Sequence, residues 1–220
     1  YGDSLVSGMS GDSAAVSKED VVAEFRRRSL VEAAQRVFGE RGFEQATMEA
    51  IAEAAGVAKG TVYLYYPSKQ AIHDATFAAG MADIERLIQE HVERATTARE
   101  AIEAFVTART EYFQQHPDFF RIYVAEIARE VASGSADRRT CHVAVDRQTR
   151  SLQTMIEKAV AAGDMRPVDP ESVALTVFDM SKGLVGRRLL IGSKWSVERD
   201  AQFLTDLIWA GLAPTRGSKR

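Results

Sequence analysis

The feature that most constrains this chain is the stretch 47–69, which predicts two short helices joined by a tight corner. Thr47 is a suitable N-cap for the first helix, because its hydroxyl can accept a backbone N–H of the first turn. Gly56 is expected to end that helix in the left-handed conformation, with Val57 as an apolar plug in the corner. The second helix is predicted over residues 58–66. Together the two helices form the pattern of a helix-turn-helix.

The outward face of the second predicted helix suits the major groove of DNA. Lys59, Thr61 and Tyr63 fall on that face and offer hydrogen-bond donors or a flat ring. Gly60 has no side chain, so the start of the helix can approach a duplex closely, and the positive end of the helix dipole favours a phosphate. Lys69 follows just beyond the helix and is a candidate phosphate contact.

The three tyrosines of this helix have a simpler interpretation, since aromatic residues at helical spacing are more often core than contact surface. The flanking pattern favours DNA contact for Tyr63 and a core position for Tyr66, which lies four residues after the inward-pointing Val62. For Tyr65 both interpretations stay open.

Six segments around the motif closely resemble the DNA-binding domain of the TetR family of bacterial transcription regulators. They are residues 40–43, 46–48, 51–52, 55–57, 59–63 and 66–69, in the order and spacing of that family. A match of this extent is more specific than a lone helix-turn-helix pattern. The resemblance implies that Thr47 and Lys69 contact phosphate and that the second helix faces the major groove. The predicted DNA-contact residues are Thr47, Met48, Lys59, Gly60, Thr61, Tyr63, Tyr65 and Lys69.

The net charge of −3 argues against a generally basic nucleic-acid binder. Residues 17–69 are neutral as well, with eight Lys or Arg and eight Asp or Glu. Binding therefore has to depend on where the charges lie, with Arg residues at 26–28 near the start of the first helix and Lys59 and Lys69 at the second helix of the motif. Glu49 is expected on the solvent side.

The whole chain predicts helices and no strand, so the predicted fold class is all-α. An N-terminal three-helix helix-turn-helix DNA-binding domain, 17–70, precedes a C-terminal helical ligand-binding and dimerisation domain, 71–213. A helix capped by Ser68 is expected to bridge the two. Residues 1–16 are interpreted as a flexible arm or a non-native remnant, and 214–220 as a tail. The first long helix should start at a Ser17–Asp20 capping box and bury Val22, Phe25, Leu30, Ala33, Ala34, Val37 and Phe38.

Large, soft side chains are more frequent in the second predicted domain than in the first, and they suit a pocket for a small apolar or amphipathic molecule. Ordinary core packing is the simpler interpretation, because a helical domain needs such residues in any case. The candidate ligand-binding residues are Phe105, Tyr112, Phe113, Phe120, Tyr123, Met155 and Phe178.

The last two predicted helices are apolar on nearly every side, which favours a four-helix dimer interface made by two chains. A helix-turn-helix protein also usually binds two half-sites about one DNA turn apart. Burial within a single chain is the alternative. The candidate interface residues are Val185, Leu189, Leu204, Ile208 and Trp209.

No catalytic, metal or cofactor site is predicted. The four histidines are scattered, and Cys141, the only cysteine, is adjacent to His142, where helical neighbours do not share a face. No apolar run approaches the length of a membrane span. A single cysteine allows no intrachain disulfide, which fits a reducing cytoplasm, so a cytoplasmic location is expected.

The sequence thus predicts a homodimeric repressor that a small ligand releases from a palindromic operator. The alternatives are an activator, a regulator without a small ligand, a helical ligand-binding or scaffold protein that has lost DNA binding, and an enzyme whose site forms only in three dimensions.

Overall fold

The computed structural model describes residues 17–133 and 139–213, and within those ranges the chain forms nine α-helices and no strand. The all-α prediction is confirmed. The predicted arm, 1–16, and the tail, 214–220, lie outside the described residues, as do the side chains of Cys141 and His142. The helices are α1 Lys18–Gln45, α2 Met48–Ala54, α3 Lys59–Tyr65, α4 Lys69–Val92, α5 Ala98–Gln115, α6 Pro117–Ser133, α7 Arg139–Ala162, α8 Pro170–Leu190 and α9 Val197–Leu212.

The helix ends follow the capping chemistry that the sequence predicts. Ser17 and Asp20 form the capping box of α1, in which the Ser17 hydroxyl accepts the Asp20 N–H at 3.0 Å. Thr47 and Ser68 cap α2 and α4, each accepting a backbone N–H three residues on at 3.1 Å. Gly42 interrupts α1 one turn before its end with a φ of 74°, a conformation that favours glycine.

The first turns of α1 differ from the prediction. Val22 and Phe25 were expected in the core, but they are 61% and 70% exposed. The buried residues of α1 all lie between Leu30 and Gly39, where α2, α4 and α6 pack against the helix. The apolar pattern of α1 therefore begins before Leu30, in turns that no other described helix covers.

Helix α6 packs directly onto α1 and α4 because a glycine stands at each contact. A Cβ atom at Gly39 would lie 2.5 Å from Cβ of Asp118, and one at Gly80 would lie 2.2 Å from the ring of Phe119. The Tyr112 hydroxyl donates a hydrogen bond to the Gly80 carbonyl at 3.0 Å. The α6 contacts, together with this hydrogen bond from α5, join the N-terminal helices to the C-terminal ones.

A buried carboxylate fixes the start of α9 against the end of α8. Asp200 accepts hydrogen bonds from Arg187 at 2.8 Å, from Ser193 at 2.9 Å, and from Arg188. Burial opposes ionisation of Asp200, but these donors outweigh it and hold the pKa of the carboxyl below its usual range. Arg188 also donates to the Trp195 carbonyl at 2.9 Å, so the connection between the helices is held as well.

His73 of α4 lies in the core between two phenylalanine rings. The rings of Phe38 and Phe43 meet the imidazole edge to face, with centroids 5.0 Å away in each case. Burial lowers the pKa of His73, while the carboxylates of Glu126 and Asp74 oppose that shift without reversing it. The folded chain therefore favours the neutral imidazole.

We expect His73→Phe to reduce the loss of stability on acidification. Because the folded-state pKa of His73 is lowered, its contribution to stability is complete above the unfolded-state pKa of about 6.5 and is lost as the pH falls towards the folded-state value. Urea unfolding at pH 7.5 and pH 5.5 measures the difference. His91→Phe, on a half-buried histidine of the same helix, is the control. Equal pH dependence in the native chain and the His73 variant would contradict the expectation.

Candidate nucleic-acid interface

Helices α2 and α3 meet at the corner that the sequence predicts. Gly56 has a φ of 65°, and its N–H donates to the Glu53 carbonyl at 3.0 Å, which ends α2. Val57 is half-buried against the core and occupies the corner. Arg36 of α1 donates to the Ala54 carbonyl at 3.1 Å, so the end of α2 is anchored to α1. Local turn chemistry and one anchoring side chain therefore set the angle of α3.

Helix α3 buries one side chain and leaves most of the others available to a partner. Val62 is its only fully buried residue, as the inward spacing predicts. Tyr63 is 44% exposed, and Lys59 and Gly60 are exposed. Nothing lies within 4 Å of where a Cβ atom would stand at Gly60, so the start of the helix is open on its outer side. Thr61 is half-buried, so Lys59, Gly60 and Tyr63 are the predicted contacts of this helix that lie on the surface, and their contact with DNA stays a prediction.

Leu64 belongs to this face and was missed by the sequence analysis. It is 83% exposed, more than any other large apolar residue of the helix-turn-helix. Its position four residues after Gly60 is the signal that could have found it, since residues four apart share a helix face. An exposed leucine has the chemistry to contact the methyl group of thymine.

The cation at the start of α3 is paired with a carboxylate of α2. The ammonium of Lys59 forms an ion pair with the carboxylate of Glu49 on α2, and it lies 5.7 Å from the centroid of the Tyr63 ring. The hydrogen bond between them raises the pKa of Lys59 and lowers the pKa of Glu49. Glu49 is exposed, as expected, but it lies within the candidate DNA face and neutralises Lys59 there.

Positive charge reaches the other end of α3 from α1. The guanidinium of Arg27 lies 5.7 Å from the centroid of the Tyr65 ring, which is half-buried. Arg28 is exposed one residue further on and pairs with Glu32 at 3.1 Å. This places the arginine cluster of α1 at the rim of the candidate face. Tyr65 thus contacts both the core and the rim.

Met48 and Lys69 do not lie as predicted. The Met48 side chain is 5% exposed and packs in the core, because it is on the inner side of the first turn of α2. The Lys69 ammonium donates to the carbonyls of Phe43 and Glu44 at 2.8 and 3.2 Å, and lies 4.5 Å from the centroid of the Phe43 ring. Its charge is attracted to the free carbonyls at the end of α1. It therefore has one N–H left for any phosphate. Thr47 is exposed, and its contact with phosphate stays a prediction.

Most of the candidate ligand-binding residues lie together in the core of the C-terminal helices. Six of the seven are buried, and Met155 is half-buried on α7. Among the buried ones, the rings of Phe105, Phe113 and Phe178 surround the guanidinium of Arg109. The burial of Arg109 depends on helices that are distant in sequence, so no local pattern distinguishes it from a surface arginine.

The candidate dimer residues divide into two groups. Val185 and Leu204 are 1% and 7% exposed and belong to the core of one chain, so their side chains have almost no surface left for a second chain and the interface prediction is wrong for them. Leu189, Ile208 and Trp209 are half-buried. The large apolar residues exposed on α9 are instead Phe203 and Leu207, at 55% and 56%.

The described residues hold no group of three or more His, Cys, Asp or Glu side chains that could bind a metal ion. Among the described helices, none combines the length and the apolar character that crossing a lipid bilayer requires.

Two family models match the chain. Residues 30–76 match the model described as bacterial regulatory proteins of the tetR family, and residues 95–185 match the model of a tetracyclin repressor-like C-terminal domain. The first range contains the helix-turn-helix, and the second contains Arg109 and its aromatic neighbours. Both parts of the chain are therefore similar to the same family.

Individual relatives agree with these models. The HTH-type transcriptional repressor KstR2 of Rhodococcus jostii is 26% identical over 189 residues, which span 86% of this chain and 91% of that protein. A TetR family regulator from Marinobacter aquaeolei has a TM-score of 0.69 at 21% identity, covering 88% of this chain and 98% of that chain. FadR of Bacillus subtilis, crystallised with stearoyl-CoA, has a TM-score of 0.68 at 19% identity over 84% and 98%. At these identities the two solved structures show the fold.

We expect Glu49→Gln to strengthen non-specific DNA binding and to steepen its salt dependence. The substitution releases Lys59 from its ion pair and removes a negative charge from the face, so about one more counterion is displaced from the duplex on binding. Binding to a fluorescent duplex of arbitrary sequence over a series of salt concentrations measures the slope. Glu53→Gln, which removes an exposed acid of α2 that forms no such pair, is the matched control. Equal slopes for the two variants would show that Glu49 has no special role.

Proposed function

This chain belongs to the TetR family of bacterial DNA-binding transcription regulators, and we propose that it is a repressor that binds a palindromic operator as a homodimer and leaves it when a small amphipathic ligand binds among the C-terminal helices. The observation that carries the proposal is the outer face of α3. It presents a cation, an open glycine, an aromatic ring and an apolar side chain on one short helix beside a corner that fixes its angle.

Each exposed residue of α3 suits one part of a DNA duplex. Lys59 and the N-terminus of the helix suit the phosphate backbone, which positions the helix without selecting a sequence. Tyr63 and Leu64 suit base edges in the major groove, where the hydroxyl can form hydrogen bonds and the leucine can contact a thymine methyl. Arg27 and Arg28 extend the positive rim along α1. This arrangement accounts for specific binding by a domain without net charge.

A second copy of the chain is the partner that suits α9. Phe203 and Leu207 lie one turn apart and are more than half exposed, and Trp195 stacks edge to face on Phe203 with centroids 5.6 Å apart. Leu190 and Ile191, at the end of α8, are more than 80% exposed. Apolar surface of this extent favours association, and a two-fold dimer would present two α3 helices to a palindrome.

The names of relatives support two parts of the proposal, repression rather than activation and an amphipathic ligand. KstR2 is named a repressor, and the FadR structure contains stearoyl-CoA, an amphipathic molecule. In this chain, the buried aromatic residues of α5, α6 and α8 provide an environment for the apolar part of such a ligand. We propose that this region is the ligand site.

The route from the ligand site to DNA runs through α6. Phe113 of α5 stacks on Phe119 of α6 with centroids 6.2 Å apart, and Phe119 lies against Gly80 of α4. Asp118, the preceding residue, lies against Gly39 of α1. Because there is no free space at either glycine, a shift of α6 has to move α1 and α4, and with them the orientation of α3.

A selection of genomic fragments with the purified protein at physiological salt, followed by a footprint on the best fragment, tests the proposal. A protected palindrome is the expected result, and its position relative to a promoter distinguishes a repressor from an activator. Absence of enrichment over bulk DNA would instead favour a helical ligand-binding or scaffold protein that has lost DNA binding.

We expect Tyr63→Ala to raise the dissociation constant for the selected operator fragment by about thirtyfold. This corresponds to the loss of an interface hot spot of about 2 kcal/mol. Binding to arbitrary DNA should change little, because phosphate contacts carry it. The exposed ring contributes little to the fold, so the unfolding temperature should be that of the parent. Operator affinity equal to that of the parent would remove Tyr63 from the interface.

We expect Leu207→Glu to raise the dimer dissociation constant by tenfold or more, that is by about 1.4 kcal/mol, because it places a charge in the apolar interface. Sedimentation equilibrium measures the constant. Val124→Glu, at a 46% exposed apolar residue of α6, is the control for a charge added elsewhere. A constant that is unchanged by Leu207→Glu would place the dimer interface on another surface.

A further inference from the structure

Among the residues that the structure describes, Arg109 is the largest whose side chain is completely buried. It lies on α5 with 0% exposure, and its Nη1 group donates a hydrogen bond to the Oε1 atom of Gln148 on α7. Its Nε and Nη2 groups have no hydrogen-bond partner, and Arg109 forms no ion pair with any Asp or Glu in the part of the chain that the structure describes. Buried cations in proteins are normally paired, so this guanidinium needs an explanation.

The surroundings of Arg109 stabilise its charge only in part. Its Cζ atom lies 4.2 Å from the centroid of the Phe178 ring, 5.6 Å from that of Phe113 and 6.0 Å from that of Phe105. Aromatic faces attract a guanidinium, but they accept no conventional hydrogen bond from it. Burial lowers the pKa of Arg109, while interaction with the nearby Tyr123 hydroxyl and, to a smaller extent, the charge of Asp179 oppose that shift without reversing it. Arginine nevertheless stays charged in proteins.

The two unpartnered groups define the shape of the missing acceptor. Nε and Nη2 lie on the same edge of the guanidinium, so their N–H bonds are parallel and form a fork. Two oxygen atoms of one carboxylate or phosphate match that fork and accept both hydrogen bonds together. A neutral hydroxyl or carbonyl group would satisfy one N–H and leave the charge unpaired.

We infer that Arg109 is the headgroup site for a small amphipathic anion, whose carboxylate or phosphate oxygens accept the Nε and Nη2 hydrogen bonds while its apolar body lies among the surrounding rings. The site holds the opposite charge and the apolar surface in one place. It also selects against neutral hydrophobic molecules, because these would leave the buried charge unpaired. This assignment refines the proposed function by naming the chemical class of the ligand.

The burial of Arg109 gives this site a means of transmitting binding. Since the side chain has no exposed surface, an anion reaches it only if the helices around it separate. Phe113 contacts Arg109 on one side and Phe119 of α6 on the other. The favourable free energy of pairing the anion therefore drives a movement that begins next to α6 and continues to α1.

Calorimetric titration of the full chain without DNA tests the site. The probes are short, medium and long straight-chain carboxylates, each with the alcohol of the same length, and a long-chain acyl-CoA. At the preferred length, we expect the anion to bind about thirtyfold or more tightly than the alcohol, as for a buried charge that gains its partner. In Arg109→Met the preference should disappear. In Arg109→Lys it should be reduced, because a lysine keeps the charge and lacks the fork.

Controls separate this role from a structural one. Methionine fills a similar volume without a charge, so Arg109→Met should be at least as stable as the parent to urea. Arg99→Met, which removes an exposed arginine paired with Asp206, should leave binding unchanged. Tighter binding of the free carboxylates would identify a carboxylate as the anionic group that pairs with Arg109, and binding of the acyl-CoA alone would identify a phosphate.

Any of three results would overturn the assignment. The first is equal binding of acids and alcohols at every chain length together with no binding of the acyl-CoA, and the second is a preference for anions that persists in Arg109→Met. The third is a strong loss of stability in Arg109→Met, which would indicate that water molecules satisfy the guanidinium and that its role is structural. The proposed function is judged separately. Because the titration contains no DNA, failure to bind an operator and failure to bind an anion are distinguished.

Discussion

The close packing of α6 against α1 and α4 couples the N-terminal and C-terminal helices. At Gly39 and Gly80 the helices approach so closely that no side chain fits between them. Interiors packed at this density do not deform continuously, so the helices move together. The N-terminal helices that carry the helix-turn-helix and the C-terminal helices that carry Arg109 are therefore mechanically connected, although they are separate in sequence.

The positions of individual charges explain how a chain with a net charge of −3 can bind DNA. Lys59 lies at the start of α3, and Arg27 lies near its end, where short-range contacts with phosphates matter more than the net charge. Glu49 moderates the first of these cations. We propose that this weaker attraction to arbitrary phosphates increases the share of the binding free energy that comes from Tyr63 and Leu64, which favours specificity over bulk affinity.

Buried polar groups in the two parts of the chain have different physical roles. Asp200 is fully satisfied by its arginine and serine donors, and it fixes α9 against α8. Arg109 is only partly satisfied, so it stabilises the closed arrangement less than it would stabilise one with an anion bound. A buried polar network whose hydrogen bonds are all made holds its helices rigidly. A network with unmade hydrogen bonds is stabilised when a ligand completes them, so the ligand shifts the equilibrium from the closed arrangement to the ligand-bound one.

The sequence by itself determined the helix-turn-helix, its caps and the inward position of Val62, because these depend on residues within a few positions of one another. Tertiary structure decided what local pattern leaves open: the burial of Met48 and Val185, the exposure of Phe25, and the engagement of Lys69 with carbonyls at the end of α1. It also decided the burial of Arg109. A guanidinium on a helix has the same local chemistry in solvent and in the core, and it is the packing of other helices, α7 and α8 among them, that separates it from water.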